Sequence, residues 1–180
     1  MRVIVSDSSV LIDVAKARLI ESALALPYVF VLPDVMLDEI LDLEGLLEGY
    51  TWKDLQARGL RAEEQNSEGV TAAIGYAEQY QRLSSCDAFA LALAKSSDSM
   101  LLTGDDALRQ AAVEQTVDVH GHLWLSDEME RCRTVTRENL LTTLVAWESD
   151  TSVWLPAAEI KARIKRLRDG GKSGVATTDR

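Results

Sequence analysis

Four acidic residues lie where an apolar strand pattern gives way to a helical pattern. Asp7 follows the first β-branched run, Asp105 follows the run that ends at Thr103, and Asp87 lies in the first turn of an apolar helix. Glu39 comes about two helical turns after another apolar run. Carboxylate oxygens are preferred ligands of Mg²⁺ and Mn²⁺, and metals held this way activate water for attack at phosphorus. The four acids therefore indicate metal-dependent chemistry on a phosphodiester.

Each acid also has a local explanation. An aspartate at a helix N-terminus caps the helix and interacts favourably with its dipole, and Glu39 taken alone is typical of a solvated helix residue. Local helix roles explain the four acids less well when they are taken together. Carboxylates that converge repel one another by about 4 kcal/mol per pair at 4 Å and an effective dielectric of 20. A bound divalent cation removes that repulsion.

The elements around these acids alternate between strand and helix. Strands are predicted at residues 2–6, 28–32, 60–63, 99–103 and 117–119, and helices at 10–17, 35–43, 52–57, 67–80, 86–96, 106–113, 122–132, 137–148 and 157–168. This order predicts an α/β fold with a doubly wound parallel sheet of four to five strands and helices on both faces. The carboxyl ends of such strands share one edge, so Asp7 and Asp105 should be neighbours.

Charge and composition restrict the class of protein. The net charge is −10, but residues 156–180 carry seven Lys or Arg against three Asp or Glu. The rest of the chain is therefore strongly acidic, which argues against tight non-specific binding to nucleic acid. No apolar run approaches the roughly 20 residues of a membrane span and no signal peptide is visible, so we expect a cytoplasmic protein. The two cysteines fit no metal-binding spacing.

Several segments match one family in order. They are Val5-Ser-Asp7-Ser-Ser9, Leu32-Pro-Asp-Val-Met-Leu-Asp-Glu39, Leu83-Ser-Ser-Cys-Asp87, Leu101-Leu-Thr103-Gly-Asp105, and Val119-His-Gly-His-Leu-Trp-Leu-Ser-Asp-Glu128. On these segments the chain resembles PIN-domain ribonucleases, in particular the VapC-like toxins of toxin–antitoxin pairs. The resemblance covers roughly residues 1–130 and implies a PIN-like sheet and Mg²⁺- or Mn²⁺-dependent cleavage of single-stranded RNA.

The resemblance also implies roles for individual residues. The metal-holding and catalytic positions are Asp7, Glu39, Asp87 and Asp105, and the supporting positions are Ser9 and Thr103. Asp106 is either a fifth acid of the site or a helix-terminal acid, and we favour the helix role. The family's habits imply a cognate antitoxin and a homodimer as partners. Lys16, Lys95 and Arg109 are weak candidates for RNA contact, since each is more often an ordinary solvated helix residue.

The chain is longer than compact PIN toxins. We interpret residues 1–133 as the PIN-like nuclease domain, 134–168 as a C-terminal helical extension and 169–180 as a disordered tail. The basic helix at 157–168 is typical of a solvated amphipathic helix, although contact with RNA or with the acidic body of another copy would also suit its charge. We expect structural roles for His120 and His122, since residues two apart across a glycine are poorly placed as a metal pair.

Two other functions are compatible with parts of this pattern. A phosphatase with an aspartyl nucleophile would need a second aspartate two residues after Asp7, where Ser9 stands. A non-catalytic PIN-like module that binds RNA or protein would not need all four acids. The sequence therefore favours a metal-dependent endoribonuclease, with the non-catalytic module as the alternative.

Overall fold

Five parallel strands form the centre of the protein in a computed structural model, which describes residues 2–37, 49–150, 153 and 155–170. The strands are β1 (Arg2–Ser6), β2 (Tyr28–Pro33), β3 (Arg61–Glu63), β4 (Met100–Leu102) and β5 (Val119–His120). Their order in the sheet is β3-β2-β1-β4-β5, and every neighbouring pair is parallel. The predicted α/β fold with a parallel sheet is confirmed.

Helices pack around this sheet. The described ones are α1 (Ser8–Lys16), α2 (Ile20–Leu24), α3 (Trp52–Ala57), α4 (Ser67–Gln79), α5 (Ser85–Ser96), α6 (Asp106–Glu114), α7 (His122–Cys132), α8 (Arg137–Ser149) and α9 (Ala157–Gly170), with a 3₁₀ turn at Asp34–Met36. The chain builds outward from β1 to β3 and then returns to build outward through β4 and β5. Because crossovers between parallel strands are right-handed, the helices of these two halves cover opposite faces.

The strand order places a topological switch point between β1 and β4. Ser6 of β1 is level with Leu102 of β4, and the backbone N–H of Asp7 donates to the carbonyl of Leu102 at 2.9 Å. Asp7 and Thr103 therefore leave the sheet side by side. Ligands of open α/β folds bind in the crevice outside the carboxyl ends of the strands at such a point.

Helix α5 is central, as its nearly all-round apolar sequence predicts. It packs across β1, β2 and β4 as well as against α4 and α6. Residues Ala88 and Ala90–Ala94 are all buried. Since α5 begins at the carboxyl edge of the sheet and ends near the start of β4, its first turn carries Asp87 toward the switch point.

The C-terminal helices form a second apolar cluster beside the main core. Its buried members are Leu123, Leu140, Leu144, Trp147, Val153, Ile160, Ile164 and Leu167. The apolar stripe of α9 is thus covered by α8 of the same chain, which excludes a fully solvated helix. Arg163 and Arg166 of α9 pair with Asp127 at 2.6 and 3.1 Å. The acidic surface that these cations contact therefore belongs to α7 of the same molecule.

Other differences from the predicted elements are local. The segment predicted as a helix at 35–43 starts with the 3₁₀ turn at Asp34–Met36, and residues 38–48 lie outside the described part of the chain. The strand predicted at 117–119 is instead Val119–His120, because Thr116 takes a left-handed φ of 59° and turns the chain first. Most of the tail predicted to be disordered, residues 171–180, also lies outside the described residues. No helix in the described segments is long and apolar enough to span a membrane.

Candidate active site

Asp7 is a buried carboxylate that is held by hydrogen bonds. Its Oδ1 accepts from the backbone N–H of Ser9 at 3.2 Å and from the hydroxyl of Ser8 at 3.4 Å. Its Oδ2 accepts from the hydroxyls of Ser9 at 2.7 Å and of Thr103 at 3.0 Å. The residue is only 5% exposed and forms no ion pair with the described cations. Hydrogen bonds to a charged group each contribute about 1.5–3 kcal/mol, so these donors offset its burial and fix its orientation.

Thr103 joins the ends of β1 and β4. It is fully buried, and its Oγ1 donates to Asp7 while accepting from the backbone N–H of Asp105 at 3.0 Å. Asp105 is the N-cap of α6, where its Oδ1 accepts from the N–H of Leu108 at 2.8 Å. A single hydroxyl therefore sets the spacing between the two acids that follow adjacent strands.

Asp87 reaches the same edge from α5. It forms a capping box with Ser84, whose N–H and hydroxyl donate to Asp87 Oδ2 at 2.9 and 2.7 Å. Burial raises the pKa of Asp87 above its usual range, and the negative charges of Asp7 and Asp105 raise it further. The hydrogen bonds from Ser84 lower the pKa of Asp87, but by less than burial and the two charges raise it. Asp87 therefore lies within the electrostatic field of both other acids.

The remaining predicted site residues are placed differently. Glu39 lies outside the described residues. Asp106 is exposed in the first turn of α6, beside Asp105. Arg109 is near the site, since its Nη2 donates to the carbonyl of Thr103 at 3.0 Å.

Two of the candidate RNA contacts are far from these acids. Lys95 donates to the carbonyl of Gln115 at 2.6 Å and to the hydroxyl of Thr116 at 3.0 Å. That loop precedes β5 and lies at the amino edge of the sheet, in a depression that the start of β4 also lines. Lys16 ends α1, about 12 Å along the helix from its start beside Asp7. Both lysines therefore lie away from the three described acids.

His122 is a residue near the site that the sequence pattern does not single out as supporting it. Its ring is 3% exposed, and its Nε2 lies 3.0 Å from Asp13 Oδ2 on α1. A Cβ at Gly104 would come within 2.7 Å of His122 Cε1, so the ring packs directly against the turn between Thr103 and Asp105. The histidine and aspartate lie 109 positions apart, which explains why no local motif reveals the pair.

The two histidines occupy separate environments. His120 stacks on Trp124 with ring centroids 4.2 Å apart and pairs with Asp118 at 3.0 Å. His122 instead meets Trp147 edge-on at 5.4 Å. Each histidine thus has an aromatic and an acidic neighbour of its own.

Comparison with known families identifies the family of this chain. A family model described as a PIN domain matches residues 3–169. The chain belongs to the PIN-domain family. PIN domains are generally nucleases and typically use divalent metal ions. The match extends through α8 and most of α9, well beyond the motifs in the first 130 residues. No curated protein and no solved structure gives a significant match.

The donor chemistry of this PIN domain suits a hard cation. The described residues donate no hydrogen bond to Asp87 Oδ1 or to Asp105 Oδ2, so each acid keeps one carboxylate oxygen for a ligand. Within the described segments, however, no three His, Cys, Asp or Glu side chains are grouped closely enough to hold a metal ion. Of the four acids predicted to hold a metal, Asp7, Asp87 and Asp105 are described at the carboxyl edge of the sheet, and Glu39 lies outside the described residues.

Proposed function

We propose that the protein is a metal-dependent endoribonuclease that cleaves phosphodiester bonds of single-stranded RNA. The observation that carries the proposal is that the Thr103 hydroxyl connects the carboxylate of Asp7 to the backbone of Asp105 at the carboxyl edge of the sheet. Three acids from three separate elements contribute negative charge to one edge of the sheet, although each has a sufficient local role as a helix cap. Repulsion between these negative charges destabilises a fold unless a bound cation or substrate offsets it.

In this proposal Asp7, Glu39, Asp87 and Asp105 hold Mg²⁺ or Mn²⁺. The bound metal would supply an activated water and neutralise developing charge on the phosphate. Ser9 and Thr103 are positioning residues, since their hydroxyls hold Asp7 Oδ2 from two sides. The cap to Leu108 holds Asp105 in the same way and leaves its Oδ2 available.

We also propose that the protein is the toxin of a toxin–antitoxin pair, acts in the cytoplasm and forms a homodimer. The support is the ordered match of its motifs to VapC-like toxins, together with family membership. Expression without a partner should then arrest growth, and expression of the Asp7→Asn variant should not. Equal growth with both proteins would remove the toxin assignment and leave the nuclease assignment to its own assay.

The nuclease assignment is tested by cleavage of a fluorescently labelled single-stranded RNA in Mg²⁺ or Mn²⁺. Asp7→Asn should lose at least about 100-fold of the rate, because even residues that only orient metal ligands commonly contribute 10- to 100-fold. Asp54→Asn is the control for the loss of a helix-capping carboxylate, since Asp54 forms a capping box with Thr51 on α3. Equal cleavage by the wild type and Asp7→Asn would overturn the proposal.

A non-catalytic PIN-like module is the second candidate. The observation in its favour is the lack of a three-residue metal group among the described side chains. The two candidates differ in their response to metal, because a ligand that binds only the native state raises the free energy of unfolding. Calorimetry that detects no Mn²⁺ binding, together with no cleavage, would favour the module. An aspartyl phosphatase is disfavoured, because that mechanism needs a second aspartate two residues after Asp7, where Ser9 stands.

A further inference from the structure

A cavity of about 440 Å³ lies beside the candidate active site. Thr103 and Asp106 line it on one side, and Leu155 and Pro156, just before α9, line it on another. The volume falls within the range of about 300–1,000 Å³ that is usual for sites of small ligands. Because Thr103 and Asp106 flank Asp105 in sequence, a group in this cavity would be adjacent to a phosphodiester held at the acids.

One wall of the cavity is aromatic. His120 and Trp124 both line it, and their rings stack at 4.2 Å with an angle of 20°. The side chain of His120 is 24% exposed, so a solute can reach the ring. Single-stranded RNA is commonly recognised by stacking of its bases on aromatic side chains, which strengthens binding by about 5- to 150-fold per base.

A second wall carries a positive charge that has no acidic partner within the described part of the chain. Arg109 lines the cavity, and among the described residues it forms no ion pair. To the residues that the structure describes, its side chain donates one hydrogen bond, from Nη2 to the carbonyl of Thr103, which uses one of its five N–H donors. The other arginine of the wall, Arg163, is neutralised by Asp127 and Glu159. Arg109 is therefore suited to a phosphate, which guanidinium groups bind with two parallel hydrogen bonds.

We propose that this cavity is a nucleotide subsite for single-stranded RNA, in which a base extends the His120–Trp124 stack and its phosphate contacts Arg109. Asp106 adds a preference, since its carboxylate accepts hydrogen bonds from an exocyclic amino group such as that of cytosine, which uracil lacks. The choice of RNA as the occupant rests on the proposed function. The subsite itself depends only on the cavity, because nucleotide binding needs neither metal nor cleavage.

The test is an NMR titration of the full-length protein without metal, in which the ring signals of His120 are followed. The ligands are CMP, UMP and ribose 5-phosphate, which is a phosphate without a base. We expect CMP to bind at least about 5-fold more tightly than ribose 5-phosphate, because only CMP stacks. We expect UMP to bind more weakly than CMP. No saturable shift with CMP up to about 10 mM, or equal affinity for CMP and ribose 5-phosphate, would overturn the subsite.

Variants separate stacking from a structural role. His120→Phe keeps an aromatic ring and should retain the advantage of CMP over ribose 5-phosphate, whereas His120→Leu should lose it. In these variants the signals of residues around the cavity replace those of His120. Arg109→Gln should weaken CMP and ribose 5-phosphate by the same factor, because it removes only the phosphate contact. Loss of the CMP advantage in both His120 variants would overturn the stacking role.

A competition experiment identifies the source of the nucleotide. A single-stranded tetraribonucleotide that contains cytidine should displace CMP and bind more tightly than CMP does. Failure of the tetranucleotide to displace CMP would overturn the RNA assignment in favour of a free nucleotide. Binding with this pattern but without Mn²⁺-dependent cleavage would refute the nuclease and leave the subsite standing. Mn²⁺-dependent cleavage without any CMP binding would refute the subsite and support the nuclease.

Discussion

Thr103 offers the sharpest test of how the acids are held, because one buried hydroxyl serves two of them. Thr103→Val keeps the shape of the side chain but removes the hydroxyl. Asp7 then loses a charge-assisted hydrogen bond that contributes about 1.5–3 kcal/mol, and the N–H of Asp105 loses its acceptor at about 0.5–1.5 kcal/mol. We expect the free energy of unfolding to fall by about 2–4 kcal/mol, a large part of the roughly 5–15 kcal/mol that stabilises a typical domain.

The assay is urea and thermal unfolding followed by circular dichroism in metal-free buffer. A loss of about 2–4 kcal/mol corresponds to a fall in Tm of about 4–16 °C for a chain of this size. Thr103→Ser separates the hydroxyl from the methyl group. It keeps both hydrogen bonds and should lose only about 1 kcal/mol from the missing methyl group.

Thr134 provides the matched control. Its Oγ1 is buried and has no hydrogen-bond partner among the described residues. Thr134→Val therefore removes an unsatisfied polar atom and should raise the free energy of unfolding by about 1 kcal/mol. The same chemical change is thus expected to have opposite signs at the two positions. If Thr103→Val unfolds within about 0.5 kcal/mol of the wild type, the hydroxyl does not hold Asp7 and Asp105 together as described.

Three further predictions follow from the site. In metal-free protein, the raised pKa of Asp87 disfavours its ionised form in the native state, so stability is lost as the pH rises through that pKa. Asp87→Asn should remove this loss and be at least as stable as the wild type at pH 7. Asp54→Asn should be less stable than the wild type, because hydrogen bonds from Thr51 lower the pKa of Asp54. Urea unfolding of the three proteins from pH 4 to 8 measures these differences in the free energy of unfolding. Mn²⁺ at about 100 times its Kd should raise the free energy of unfolding of the wild type by about 2.7 kcal/mol, and differential scanning fluorimetry should show a much smaller rise in Asp7→Asn. Gly104→Ala should destabilise the fold by about 1–3 kcal/mol, because its Cβ would come within 2.7 Å of the buried His122 ring, and an unchanged Tm would contradict this packing.

The sequence predicts the fold well because its signals are local. Strand β1 and helix α7 have the predicted bounds, since a β-branched run and a glycine before His122 mark them directly. The adjacency of Asp7 and Asp105 was also predictable, because parallel strands end at one edge. The pairing of His122 with Asp13 was not predictable, since the sequence around either residue contains no pattern that indicates contact with the other.

The partner of the basic helix α9 could not be predicted for a related reason. Its charge pattern is compatible with RNA, another copy or the same chain, because Coulomb attraction does not distinguish the source of an acid. Only the folded path of α8 brings Arg163 and Arg166 onto Asp127. The apolar stripe of α9 also does not indicate which element covers it, and only the folded chain shows that α8 does.

The comparison of Asp54 with Asp87 shows why motif and site are hard to separate in this fold. Both are the third residue of a helix. Each accepts hydrogen bonds from the backbone N–H and the hydroxyl of its N-cap residue, which is Thr51 for Asp54 and Ser84 for Asp87. Their pKa values nevertheless shift in opposite directions, because Asp54 is solvated while Asp87 is partly buried near two other acids. The local hydrogen bonds are therefore common to both, and what distinguishes Asp87 is the position of α5 across β1 and β4. A substitution that moves α5 without touching Asp87 should consequently bring its pKa toward that of Asp54.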